Sequence, residues 1–328
     1  MRAPGFWVGG GGIAPLLLSP FSAIYAGATA RRMARSGWRA PVPVICCGNA
    51  TAGGAGKTTV ALDIGRRLAD RGVNAQFLLR GYGGNIKGPA LVDPGAHDST
   101  QVGDEALLLA AVRPSWVSAD RGAGAQAAVA AGAQAIVMDD GLQNPTLEKD
   151  LSLLVIDGSY GFGNGRVIPA GPLREPVAAA AGRSHAAVLI GQDEVGALAQ
   201  LPPGLPVLRA RLVAGPEAKM LAGQPVFAFC GIANPAKFFA TLQEVGAVLA
   251  GREAFADHYP YDEAELKDLL AQAEALRAVP VTTRKDFVRI PPAYRARVTV
   301  VSVALAWEEA GAIESLLDPL AARISAPG

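Results

Sequence analysis

The chain has 328 residues, half of them apolar and 18% charged, which is enough to bury one large core or two ordinary ones and excludes a disordered chain. A formal net charge of +1 gives no bulk attraction to nucleic acid, so nucleic acid is not an expected partner and phosphate binding must come from local clusters of Arg and Lys. Of three cysteines, two are adjacent at Cys46 and Cys47 in an apolar run; they form neither a disulfide framework nor a C-x-x-C metal spacing, which fits a reducing compartment.

Residues 3 to 30 carry no charge and then meet Arg31, Arg32 and Arg35. Only Arg2 precedes this run, and Gly9 to Gly12, Pro15 and Pro20 interrupt it, against both a secretory signal and a clean spanning helix. An interfacial helix fits better: Leu16, Leu17, Leu18, Phe21, Ile24 and Tyr25 would enter the lipid boundary while the arginines meet anionic head groups. A buried structural helix is the plain alternative. Residues 1–35 are expected to be a membrane-associating segment.

From residue 42, short apolar runs alternate with Ala-rich helical stretches, the pattern of an α/β sandwich with a largely parallel sheet. The runs are Val42 to Cys47, Gln76 to Leu79, Trp116 to Ser118, Ala135 to Met138, Leu151 to Ile156 and Ala186 to Ile190. Helices are expected near 57–71, 103–112 and 121–132. Val207 to Val213 alternates apolar and basic residues and reads as a linking strand. After the Pro- and Gly-punctuated stretch Leu201 to Gly223, strands at Val226 to Cys230, Val281 to Thr283 and Val298 to Val303 suggest a second, smaller α/β domain. The expected division is a P-loop domain over 36–215 and a C-terminal domain over 216–328.

Val42 to Thr59 reads as strand, glycine turn, helix. At the junction stands Gly53-Gly54-Ala55-Gly56-Lys57-Thr58, where glycines let backbone N–H groups turn onto phosphates and the helix N-terminus adds partial positive charge. Lys57 would reach the β and γ phosphates and Thr58 would hold Mg²⁺, with Thr51, Ala52, Gly53, Gly54, Ala55, Gly56 and Thr59 completing the nucleotide site. The strict pattern asks for Gly where Thr51 stands. An acidic residue after an apolar strand is the other half of a nucleotide site, and Ala135 to Asp140 supplies Asp139 and Asp140. Asp140-Gly141 alone would also read as a turn.

Phosphoryl transfer to a hydroxyl further needs a group to orient or deprotonate the acceptor and cations to neutralise developing charge. Candidates stand in Arg80-Gly81-Tyr82-Gly83-Gly84, Gly103-Asp104-Glu105, Asp120-Arg121, Arg174-Glu175 and Asp257-His258. Taken together these segments resemble the tetraacyldisaccharide 4'-kinase family. Further matches are Gly48-Asn49, Leu79 to Gly83, Val102 to Glu105, Asp139-Asp140-Gly141-Leu142-Gln143, Ile156-Asp157 with Phe162 to Gly165, Pro169 to Pro176, Cys230-Gly231-Ile232 and Thr283-Arg284-Lys285-Asp286.

The resemblance implies two α/β/α sandwich domains holding nucleotide between them, the first P-loop NTPase-like. It implies transfer from Mg-ATP to the 4'-hydroxyl of a tetraacylated glucosamine disaccharide 1-phosphate at the cytoplasmic face of a bacterial inner membrane. Asp104 would be the catalytic base, paired by His258 from the second domain, with Lys57 and Arg121 on the phosphates. Thr58, Asp139, Asp140 and Glu175 are the expected metal residues. Arg80, Tyr82, Glu105, Gln143, Arg166 and Arg174 are the expected acceptor contacts. The family carries a non-Gly residue where Thr51 stands; Arg284 departs from it, since an acidic residue is expected before Lys285-Asp286. A partitioning-type switch ATPase shares the Gly-Gly-x-Gly-Lys-Thr run but carries a signature Lys where this chain has Ala52, and has no use for Asp257-His258.

Overall fold

A computed structural model describes residues 4–9 and 12–325. Arg2, Gly10 and Gly11, which entered the N-terminal expectation, lie outside the described residues. The chain opens with helix α1 (Ile13–Met33), followed by β1 (Val44–Gly48), α2 (Lys57–Asp70), β2 (Ala75–Leu79) and a short β3 (Ala90–Leu91). Next come α3 (Ser99–Val102), α4 (Asp104–Ala110), β4 (Ser115–Val117), α5 (Arg121–Ala130) and β5 (Ala135–Asp139). Then follow β6 (Leu151–Asp157), α6 (Val177–Gly182), β7 (Ala186–Ile190) and β8 (Val207–Ala214). The last third holds β9 (Pro225–Cys230), α7 (Pro235–Glu244), β10 (Val248–Ala254), α8 (Glu263–Ala275), β11 (Val279–Thr283) and α9 (Arg284–Phe287). It closes with α10 (Pro292–Arg295), β12 (Thr299–Val301), β13 (Val303–Trp307) and α11 (Ala310–Ser325).

Nine strands form one sheet in the order β13-β8-β7-β6-β1-β5-β2-β4-β3, and seven of them, β8 to β4, run parallel. β1, β5 and β7 are buried along their whole length, so they read as unbroken apolar runs without alternation. Val60, Ile64 and Leu68 of α2 and Leu109 of α4 cover one face, while Ala125 and Ala128 of α5 and Ala180 of α6 cover the other. Strand order reverses at β1, and in such sheets ligands bind at the carboxyl ends beside the reversal. The P-loop stands there.

A second, four-stranded parallel sheet has the order β10-β9-β11-β12, with α7 packed through Phe238 and Leu242 on one face and α8 through Leu266 and Leu270 on the other. Here the order reverses at β9. The expected span of 216–328 for this unit differs from the sheet. β13 pairs antiparallel with β8, and Ile313, Leu317 and Leu320 of α11 join the core beside α2, so the chain's end returns to the large sheet. Arg71 fixes this return with a 2.9 Å ion pair to Asp318. The single strand expected over Val298 to Val303 is therefore two, divided at Ser302. The Ser302 amide donates to Glu217 Oε1 at 2.6 Å and Gly215 N donates to Ser302 O at 2.8 Å, which ties the two crossings between the sheets together.

α1 touches the rest of the protein along one narrow stripe. Pro15, Ser22 and Thr29 are buried, while Ile13, Leu16, Leu17, Phe21 and Ile24 are exposed. A helix of a soluble protein buries its apolar face; this one inverts that order. Among the described residues α1 is the one helix long and apolar enough to cross a membrane, by length and composition.

Candidate active site

The turn after β1 builds the nucleotide end. Gly56 sits at φ +85°, a left-handed position where a Cβ would also stand 2.5 Å from Ile190 Cδ1, so glycine is required for α2 to start here. Lys57 is buried, with Nζ 3.3 Å from Gly53 O and 3.8 Å from Asp140 Oδ1. Thr51, buried, lies in an isolated antiparallel bridge with Leu173, and Ala52 N donates to Pro172 O at 2.7 Å. The non-glycine residue at 51 is thus strand-like: its hydroxyl accepts from Asn49 Nδ2 at 2.9 Å. Gly53 and Gly54 are exposed, Ala55 is buried and Thr59 is half-buried.

Asp139 and Asp140 follow β5 but face different partners. Thr58 Oγ1 donates to Asp139 Oδ2 at 2.8 Å, whereas Asp140 takes Arg174 Nη1 at 2.7 and 2.9 Å and lies near Lys57. Burial, reinforced by the charge of Glu105, pushes the Asp139 carboxyl up to about 7, against Lys57 and the Thr58 hydrogen bond. Burial also acts to raise Asp140, but Lys57, Arg174 and Arg121 outweigh it and hold this carboxyl below its ordinary value. Asp139 Oδ1 is buried with no hydrogen-bond partner. An orphaned carboxylate oxygen beside a Thr hydroxyl suits a divalent cation. One carboxylate and one hydroxyl fit Mg²⁺, an ion commonly held by one or two carboxylates plus phosphates and water.

Arg121 opens α5, capped by Asp120, and is buried with Nη1 on Ser118 O at 2.8 Å. Burial pulls its guanidinium down to about 10, with Arg80 adding to the fall and Asp140 and Asp139 opposing it, so it stays charged at neutral pH beside the acidic pair. Arg174 and Gln143 join the same cluster, and Gln143 Nε2 bridges Asn49 O and Glu175 Oε1, both at 2.8 Å. Glu175, buried, is bound by Gln143 and Arg183. Arg166 Nη1 donates to Ser19 Oγ of α1 at 2.9 Å.

Arg166 belongs to a loop that joins α1 to the P-loop. Ser22 Oγ donates to Val167 O at 2.7 Å and accepts from Ala170 N at 3.1 Å, and Arg174 N then donates to Ala50 O at 2.7 Å. Helix α1 and the phosphate turn are thus separated by one hydrogen-bonded segment.

A second cluster lies where the two sheets meet. Gly103, at φ +86°, lets α4 begin hard against the 81–84 turn, where a Cβ would stand 2.4 Å from Tyr82 O. Asp104, first residue of α4, is buried, and its Oδ2 meets His258 Nδ1 at 2.8 Å. His258 holds a left-handed φ of +60°, with its N–H on Gly231 O at the carboxyl end of β9. Tyr82 is exposed with its ring 6.1 Å from that of His258, and Arg80 is exposed nearby. Glu105, half-buried, stands close enough to Asp139 to raise it, which places the Asp104 helix beside the nucleotide turn.

One partner escaped the sequence reading. Arg289 Nε lies 3.3 Å from the same Asp104 Oδ2, and its Nη2 is 2.8 Å from the fully buried Asp286. Lys237 of α7 adds a second link between the sheets, 2.8 Å from both oxygens of Asp157.

A phosphate turn with a cation-ready acid, facing an Asp–His pair across two sheets, is the arrangement of a phosphotransferase. The sequence profile of the tetraacyldisaccharide-1-P 4'-kinase family matches residues 14–321. The tetraacyldisaccharide 4'-kinase of Gluconacetobacter diazotrophicus is 60% identical over 319 residues, covering 97% of this chain and 98% of its own. That of Rhodospirillum rubrum is 54% identical over 325 residues, covering 98% of each. The crystal structure of "apo" form LpxK from Aquifex aeolicus in complex with ATP superposes with a TM-score of 0.75 at 25% identity, covering 93% of this chain and 99% of that one. By profile and by full-length similarity, this chain belongs to the tetraacyldisaccharide-1-P 4'-kinase family.

Proposed function

We propose that the chain transfers the γ-phosphate of Mg-ATP to the 4'-hydroxyl of tetraacyldisaccharide 1-phosphate, a step of lipid A synthesis, with Asp104 as the base. The observation that carries this reading is the 2.8 Å contact of Asp104 with His258, which a nucleotide switch would not need. Asp104 Oδ2 is occupied by His258 and Arg289, which leaves Oδ1 to take the proton of the acceptor hydroxyl. The new bond joins that oxygen to the γ phosphorus as the bond to the β-phosphate oxygen breaks. Lys57 and Arg121 neutralise the phosphate charge, and Tyr82 and Arg80 line the open acceptor side. Incubation of the purified protein with Mg-ATP and the glycolipid in detergent should add one phosphate to the lipid. ATP hydrolysis with the acceptor left unmodified would favour the switch reading.

Thr58 and Asp139 are the residues that would hold Mg²⁺, while Asp140 orients Lys57 and Arg174. When bound, the ion would neutralise negative charge on the phosphates during transfer. A pH dependence follows. Because the folded Asp139 pKa lies near 7, above the ordinary 3.8, its contribution to stability is full below about pH 4 and is lost as pH rises through 7. A cation relieves that loss by binding the ionised form. The rise in melting temperature on adding MgCl₂ should therefore be larger at pH 8 than at pH 6 in thermal scans, and abolished in Asp139→Asn. An equal rise at both pH values would contradict this.

α1 supports seating on a membrane surface, with Leu16, Leu17, Phe21 and Ile24 in the lipid boundary and Arg31, Arg32 and Arg35 near the head groups. The glycolipid acceptor would then be reached without leaving the inner-membrane face. At roughly 1.5–3 kcal/mol for each large apolar side chain, replacing both Leu17 and Phe21 by Glu should lower partitioning onto anionic vesicles by about 10²–10⁴-fold. Unchanged cosedimentation would place the contact elsewhere.

A further inference from the structure

Arg289 lies outside every motif that pointed to the site, yet it is the most constrained cation near the acceptor end. Its Nη1 donates to Tyr259 O at 3.0 Å, its Nη2 to Gly231 O at 3.0 Å and to Asp286 Oδ1 at 2.8 Å, and its Nε to Lys285 O at 3.3 Å. Asp286 is itself fixed by Gly231 N at 2.7 Å and Tyr261 OH at 2.9 Å. The guanidinium therefore cannot swing away, and it presents Nε to Asp104 Oδ2 at 3.3 Å from within the small sheet's carboxyl edge.

The imidazole beside it is oriented by a second cation. Lys285 Nζ, a donor only, stands 3.3 Å from His258 Nε2, so Nε2 accepts and the ring proton sits on Nδ1, donated to Asp104. The same ammonium is 3.2 Å from Asp257 Oδ1. The charged groups on and beside the elements packed against α4 are Lys285 and Asp286 of α9, with His258, Asp257 and Arg289 next to them on the small-sheet side, Lys57 opening α2, Arg80 after β2, Asp98 capping α3, and Glu105 on the helix of Asp104 itself.

We infer that Arg289 is a positioning residue for the base: it stands against Oδ2 of Asp104 together with His258, so that Oδ1 alone faces the acceptor hydroxyl. This rests on the reading of Asp104 as the base. A cation in contact with a carboxylate favours the charged form that a base needs. Aligning one oxygen matters equally, because a base must lie within hydrogen-bond reach of the proton it removes. Arg284, the departure from the family pattern, is not part of this array; the two cations that act are Lys285 and Arg289.

The test is the pH profile of kcat/KM for glycolipid phosphorylation by the full chain in detergent. Its acid limb reports the base in the free enzyme. Two variants remove the cation: Arg289→Gln, and the pair Arg289→Met with Asp286→Asn, which avoids leaving a lone buried charge. In either, the acid limb should move up by about one pH unit or more, while ATP affinity stays at the wild-type value. Arg289→Lys, which keeps the charge, should move the limb less. A folded cation-free variant whose rate falls equally at all pH values, with the limb unmoved, would reduce Arg289 to a structural role and overturn the inference. Failure of the underlying reading looks different: Asp104→Asn would then retain both its rate and its acid limb.

Discussion

Asp104→Asn should lower kcat by about 10²–10⁴ with ATP binding unchanged, the usual cost of losing a general base. The substitution conserves shape, and the amide oxygen is still able to accept from His258 Nδ1, so the contact between the sheets survives in part although the ion pair with Arg289 is lost. What it removes is the capacity of Oδ1 to take a proton. Asp104 opens α4 rather than lying within it, so no helical hydrogen bond depends on its side chain. Activity should be followed by glycolipid phosphorylation and ATP affinity by equilibrium binding. A fall in ATP affinity matching the fall in rate would mean that the variant disturbs the nucleotide turn instead. His258→Ala should act in the same direction, through the loss of the Nδ1 contact.

Lys57→Ala is expected to cost about 10²–10³ in kcat/KM, the range seen when one preorganised charge-stabilising group is removed. The ammonium is buried between Gly53 O and Asp140 Oδ1, so it is held in the turn before phosphate arrives. Removing it also strips Asp140 of a cation, leaving Arg174 and Arg121 to hold that acid. ATP affinity should fall with the rate, in contrast to Asp104→Asn. Steady-state kinetics varying ATP at saturating glycolipid separates the two variants. A Lys57→Ala enzyme with wild-type ATP affinity and rate would remove this lysine from the phosphate site.

The phosphate end was legible because its chemistry is local. Glycine turn, Lys57 and Thr58 follow one strand, and Asp139 ends another, so a few consecutive residues carry the whole signal. Asp104 and His258 were legible only through their resemblance to a family, since 154 positions separate them and their contact depends on how two sheets meet. Arg289 had no such marker. It follows a four-residue helix as an ordinary arginine, and its role comes from the buried Asp286 and three backbone carbonyls that aim it.

The return of the chain to the large sheet was hidden for a related reason. Val298 to Val303 and the residues after it form one apolar stretch, and nothing in its pattern tells which sheet each part joins. The division at Ser302 is set by Glu217, 85 residues earlier. The partners of Glu175 and Arg166 were hidden in the same way: Arg183 and Gln143 for one and Ser19 for the other are brought to them only by the fold.

The most direct measurement of the central claim is phosphate transfer from labelled ATP to tetraacyldisaccharide 1-phosphate in detergent micelles, run side by side for the unaltered chain and Asp104→Asn. The account predicts a lipid product bearing one added 4'-phosphate with the former and at least about 10²-fold less with the latter. Product no greater than a no-enzyme control from the unaltered chain, or equal product from both, would contradict it.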